Sequence, residues 1–162
     1  MEDPYDKFFI AFGKATISAL SFEFSLGTLL LDVDRVIKGN ISVEGLFALD
    51  EKYSKLTLGQ MLTELRKKIS VNAVIEDQLR LALEKRNYLI HRFYTEDAEQ
   101  LVLEENIDKV VTRIDKIREI IFDAEIYVKM LTSAFNEASG ITSEILDEEH
   151  RKLIAKLKSS SV

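Results

Sequence analysis

The chain has no cysteine. That removes a disulfide framework, a thiolate zinc site and a cysteine nucleophile, and it fits a cytosolic setting. Turn-forming residues are nearly as scarce. Pro4 is the single proline and there are only six glycines in 162 residues, too few for a sandwich or barrel of many short strands. Positive charge is not in excess, since 22 Lys and Arg against 28 Asp and Glu leave a formal charge of −6. This argues against a surface that is one large nucleic-acid footprint but leaves room for a local basic groove. The most apolar stretch, Ala15 to Leu31, is interrupted by Glu23 and reads as too short and too polar to span a bilayer comfortably. The N-terminal MEDPYDKFF is acidic where a signal peptide would be basic. A cytoplasmic protein with no targeting segment and no membrane span is therefore expected.

What remains is rich in helix formers. Leu, Ile, Glu, Lys and Ala dominate, with 46% hydrophobic and 31% charged residues. No repeat, low-complexity tract or linker divides the chain, so residues 1–162 are read as one domain. Punctuation at Gly39-Asn40, Ser70 to Asn72, Thr95 to Asp97 and Ser139-Gly140 leaves about five helical segments. The expected fold is all-α, an antiparallel helical bundle.

The first segment runs from about Tyr5 to Lys38 and is apolar nearly all round in its middle (Ile17, Leu20, Phe22, Phe24, Leu26, Leu29, Leu30, Leu31). A helix of that kind is central in a bundle or faces a second chain. The second begins at Thr57, with Gln60 in capping-box spacing, and ends near Ile69; a short helical turn from Val43 to Leu49 precedes it. The third follows Asn72 as N-cap and continues to about Phe93. The fourth, Glu104 to Ala138, carries Ile107, Val110, Ile114, Ile117, Ile121, Ala124, Val128, Leu131 and Phe135 in strict 3-4 spacing. Such a seam serves either the core of one chain or a stripe shared across a homodimer. The fifth, Ser143 to Lys158, puts Leu146, Leu153 and Leu157 on one face. His150 shares that face and reads as a packed or interfacial histidine; a metal site built on Asp147 and His150 lacks the further ligands it needs.

One position breaks the pattern. On helix three Ile75, Leu79, Ala82, Leu89, Ile90 and Phe93 form an apolar stripe, and Arg86 lies within it, about 20° from Ile75 at 100° per residue. A guanidinium in a core-facing position needs a partner, and Glu23 is the only acid in the apolar middle of helix one. On the neighbouring face Asn87 and His91 stand about 40° apart, whereas Arg86 is about 140° from His91 on a regular helix. Either the helix ends or bends near His91, or two chains pool their copies. A structural reading, with Arg86 as half of a buried ion pair and His91 as a surface histidine, stands beside the functional one.

The run Arg86-Asn87-Tyr88-Leu89-Ile90-His91, late in the third helix of an all-helical chain, resembles the HEPN superfamily, whose hallmark is an arginine, a polar neighbour and a histidine four to six residues further on. The Leu58-Gly59 opening of helix two and the lone Glu of helix one are also similar to members of that group. The resemblance extends to about helix four. It implies a homodimeric endoribonuclease that needs no metal or cofactor, of the kind found in toxin–antitoxin and phage-defence systems, with an antitoxin or regulatory protein as a further partner. Arg86, Asn87 and His91 would be catalytic. RNA can be cut by its own 2′-OH; histidine moves protons near neutral pH, and arginine holds phosphate oxygens through its planar fork. Around the motif Arg80, Lys85, Arg86 and Arg92 face one acid, Glu84. This basic patch reads either as an ordinary solvated helix face or as a phosphate-steering groove, and in the second reading Arg80, Lys85, Arg92 and Tyr94 are expected to contact RNA. The run Arg66-Lys67-Lys68 reads as a favourable helix C-terminus, or as an auxiliary RNA contact. One departure matters: where related toxins carry a tyrosine for AMP attachment two residues after the histidine, this chain has Phe93, and inactivation by that route is not carried over.

Overall fold

The computed structural model describes residues 3–39 and 41–141, together with Glu144, Asp147, Glu148, Arg151 and Ala155. Helix α1 spans Pro4–Lys38, α2 Val43–Ser54, α3 Leu58–Lys68, α4 Ala73–Asn87, α5 Phe93–Glu96 and α6 Ile107–Ala138. A π-helical turn, Tyr88–Arg92, joins α4 to α5 without a break, and short 3-10 turns lead into α6. There is no strand among the described residues.

Local chemistry sets most of these boundaries. Asp3, Ser42, Thr57 and Asn72 each accept a backbone N–H of the helix that follows, and Thr57 with Gln60 closes a full capping box. α1 stops at Gly39, whose φ of 74° is open to glycine and strained for other residues.

Consecutive long helices alternate in direction. Glu23 and Phe12 of α1 meet Arg86 and Phe93, so α4 and α5 run back along α1. Lys7 pairs with Asp108, Ser21 with Glu125 and Arg35 with Asn136. α1 and α6, the two longest described helices, therefore lie parallel: in a bundle whose consecutive long helices run antiparallel, with α3 and α6 as the third and fifth strokes, the first and the fifth point the same way.

The periodic seam of α6 belongs to the core of a single chain. Ile107, Val110, Ile114, Ile117, Ile121, Ala124 and Val128 are buried, and Leu131 and Phe135 pack against them. They meet the inner face of α1, where Ala11, Ala15, Ala19, Phe22, Leu26, Leu29, Leu30 and Val33 are buried. The outer face of α1 stays in water, with Ile17, Leu20 and Phe24 exposed by 68%, 59% and 78%. By length and composition alone this helix could cross a membrane (mean hydropathy 1.3), yet 39% of its apolar window is buried within the chain. That qualifies the reading of α1 as too short and polar to span; its inner face serves as core.

Two buried polar clusters tie the helices together, one near the C-terminal end of α1 and one at its middle. Asp34 accepts from Tyr53 at 2.5 Å and from Lys68 at 2.5 Å, joining α1, α2 and α3. Burial alone would raise the Asp34 carboxyl, but the bonds from Lys68 and Tyr53 and the charges of Lys68 and Lys38 outweigh it and hold its pKa below the usual range. Burial and the Asp34 bond together push the Tyr53 phenol up. Glu125 of α6 accepts from Ser21 at 2.7 Å and Ser25 at 3.1 Å and pairs with Lys129.

α2 is longer than the expected turn, running on to Ser54 because Tyr53 is anchored in the core. Glu144, Asp147, Glu148, Arg151 and Ala155 are helical and exposed; His150 and the Leu146, Leu153 and Leu157 face lie outside the described residues.

Candidate active site

Of the two ways left open for Arg86 and His91 to meet, a bend near His91 or two chains pooling their copies, the first is present within one chain as a π turn. Phe93 N–H bonds to the carbonyl of Tyr88, five residues back, and this wider winding brings positions i and i+5 onto one side. Arg86 and His91 are five apart. Arg86 Nη1 lies 3.1 Å from His91 Nε2 and 3.3 Å from Asn87 Oδ1, while Arg86 Nη2 donates to Glu23 Oε2 at 2.7 Å. A guanidinium nitrogen can only donate, so His91 Nε2 is the acceptor and the ring proton sits on Nδ1. The same winding turns Ile90 outward to 36% exposure, off the stripe that a regular helix would keep buried.

Arg86 is the covered member of the group, with 16% of its side chain exposed, and Asn87 is half-buried while His91 is open to solvent. Together they line a cleft of about 590 Å³ whose other wall is the α2–α3 connection. Lys55, Leu56, Thr57, Leu58 and Gly59 come from that wall, and Glu23 and Arg92 complete the mouth. The cleft therefore sets a carboxylate, an amide, an imidazole and three cationic side chains around one space, a composition suited to a phosphate group.

Of the wider RNA-contact set, only Arg92 borders this cleft. It also approaches Glu96 at 3.7 Å and stacks over the Tyr88 ring. Arg80 pairs with Asp77 and Lys85 with Glu84 on the outer side of α4. Tyr94 packs its ring against Phe12 and Phe93. Arg66, Lys67 and Lys68 are each taken up by an acid: Glu76, Glu64 and Asp34. Lys55 and Thr57 went unread as cleft residues, although the capping box at Thr57 marked the helix start that carries them there. Among the described residues no group of three or more His, Asp or Glu converges in a way that could hold a metal ion.

No protein-family model, no curated protein and no solved structure matches the chain.

Proposed function

We propose that the protein is an endoribonuclease of the HEPN type, cytoplasmic and homodimeric, acting as a toxin or phage-defence effector without a metal ion. The observation that carries this reading is the convergence of Arg86, Asn87 and His91 on one basic-lipped cleft through a π turn, a winding rare in helices and frequent at functional sites. His91 serves as general base or acid. When a phosphate takes His91's place on Arg86 Nη1, the freed Nε2 takes the proton from the RNA 2′-OH, whose oxygen bonds to the adjacent phosphorus as the P–O5′ bond breaks, and the ring then passes that proton to the leaving 5′ oxygen. Arg86 neutralises the phosphorane oxygens and Asn87 orients the phosphate. The products are a 2′,3′-cyclic phosphate and a 5′-hydroxyl.

The dimer in this reading forms through the outer face of α1. Phe9, Ile10, Ile17, Leu20 and Phe24 fall within about 100° of arc and are all exposed. At roughly 200 Å² for a large side chain, they leave on the order of 600 Å² of apolar surface in water, against ~800 Å² per partner in a standard interface. Glu23 borders both this stripe and the cleft, through a neighbouring groove that it lines with Leu20 and Phe24. Two copies joined here would bring their clefts close together.

A second reading is favoured by the Glu23–Arg86 ion pair: a non-catalytic bundle that binds a protein or nucleotide, with Arg86 holding α4 to α1. Cleavage of mixed single-stranded RNA by the purified protein in EDTA, with His91→Ala alongside, decides between them. Cyclic-phosphate ends that vanish in the variant are the expected result. Absence of cleavage by a folded dimer would favour the binding module.

A further inference from the structure

The π turn is not held by its own hydrogen bonds alone. Its first residue, Tyr88, reaches away from the cleft and donates its hydroxyl to Asp97 Oδ2. Asp97 is buried in the turn after α5. Its Oδ1 accepts from Arg113 of α6 at 2.8 Å and from Gln100 at 2.9 Å, and its backbone N–H bonds to the Phe93 carbonyl at 2.9 Å. Arg113 keeps Nε and Nη2 buried without a partner, an arrangement that packing alone would select against. One carboxylate thus ties together the start of the π turn, the end of the helix that follows it, and α6, the rigid element behind both.

From this we infer that Tyr88, Asp97 and Arg113 are positioning residues for the cleft, acting through the winding of the turn. They do not touch the space where a phosphate would sit; the cleft is lined by other residues. Their effect is on the relation between Arg86 and His91. With the Tyr88 ring anchored, the turn stays wide, Arg86 Nη1 stays on His91 Nε2 and the ring proton is kept on Nδ1. Released, the segment relaxes toward α-helical winding, in which the two side chains diverge by about 140°. His91 then keeps its place on the protein surface but loses its orientation toward Arg86. A phosphate would still be attracted to the cationic lip, so the loss should appear in the chemical step more than in binding.

The inference rests on Arg86 and His91 being the working pair of the proposed ribonuclease, and the test has one arm that does not depend on activity. The chain has two histidines, so His91→Ala assigns the His91 ring nitrogens in a ¹⁵N spectrum of the full chain. In the wild type the Nδ1-protonated form is expected to dominate; in Tyr88→Phe and Arg113→Met the signal should move toward the Nε2-protonated form that a free imidazole prefers in water. Arg113→Lys, which can still pair with Asp97, should restore the wild-type signature. In the activity arm, kcat for RNA should fall at least tenfold in Tyr88→Phe with KM changed less than twofold. Folded variants whose His91 signature matches the wild type would overturn the inference, as would failure of both Tyr88→Phe and Arg113→Met to fold, which would make the cluster purely structural. A wild-type protein that cleaves no RNA would end the ribonuclease reading and leave the nitrogen spectra to decide this one.

Discussion

Arg86 Nη1 and His91 Nε2 are 3.1 Å apart although they stand five positions apart on one continuous helical rod. A regular α-helix brings together i and i+3 or i+4, so the contact exists only because the rod widens to i→i+5 winding between them. The guanidinium is held on two sides at once, by Glu23 from α1 and by Asn87 and His91 from its own helix.

This double engagement lets structure and chemistry be separated by substitution. His91 is exposed, so His91→Ala should leave thermal stability within about 0.5 kcal/mol while lowering RNA cleavage by roughly 10²–10⁴-fold. Arg86→Ala leaves Glu23 facing a covered site without its partner and should cost about 2 kcal/mol as well as abolishing cleavage. Glu23→Gln retains a hydrogen-bond acceptor for Arg86 and should cost less than Arg86→Ala. Denaturant melts run beside the cleavage assay check all three; a His91→Ala protein as unstable as Arg86→Ala would sink the assignment of His91 to chemistry.

The legible parts of this fold are those decided by neighbours in sequence. The Thr57–Gln60 capping box and the Asn72 cap act within one turn, and the α6 seam repeats often enough to declare its buried face. Arg86 was legible as an anomaly because a charge within an apolar stripe needs a partner, and Glu23 was the one acid able to supply it. The π turn carries no local mark. Its hydrogen-bond pattern depends on Tyr88 finding Asp97 and on Asp97 finding Arg113, sixteen residues further along and on another helix. The Asp34, Tyr53 and Lys68 cluster was invisible for the same reason, being drawn from three helices. The parallel course of α1 and α6 follows from how many times the chain reverses, which the α2 segment, read as a mere turn, left undercounted.

The outer stripe of α1 yields a prediction about assembly. Leu20 and Phe24 are exposed in the single chain, so Leu20→Asp with Phe24→Asp should leave the fold of one protomer intact and change its stability by less than about 1 kcal/mol. The same pair of charges facing their own copies across a two-fold axis should dissociate a dimer. Light scattering coupled to size exclusion reads the result. A wild-type protein that stays monomeric at tens of micromolar would remove α1 as the dimer face.

Acid stability has a sign set by the buried carboxylates. Asp34 and Glu125 have pKa values lowered from 3.8 and 4.5: burial opposes this, and the Lys68 and Tyr53 bonds, and those of Lys129, Ser21 and Ser25, overcome it. A carboxyl whose folded pKa is lowered contributes stability that is fully present above its unfolded value and is lost as pH falls through its folded one. Asp32 has the opposite sign. Burial raises it despite Arg35 and Asn136, so its protonation on acidification favours the fold and offsets part of the loss. The net expectation is a melting temperature that falls on acidification, as pH drops from the ordinary values of 3.8 and 4.5 through the lowered pKa values of Asp34 and Glu125. Asp34→Asn should lower stability at pH 7 by about 2 kcal/mol, because Lys68 then faces a neutral partner, and should flatten the acid fall. Asp32→Asn should steepen it, since the offsetting group is gone. Thermal melts of the three proteins between pH 3 and pH 7 measure these slopes; an Asp34→Asn protein whose melting temperature falls as steeply in acid as the wild type's would refute the assignment of acid sensitivity to this carboxylate.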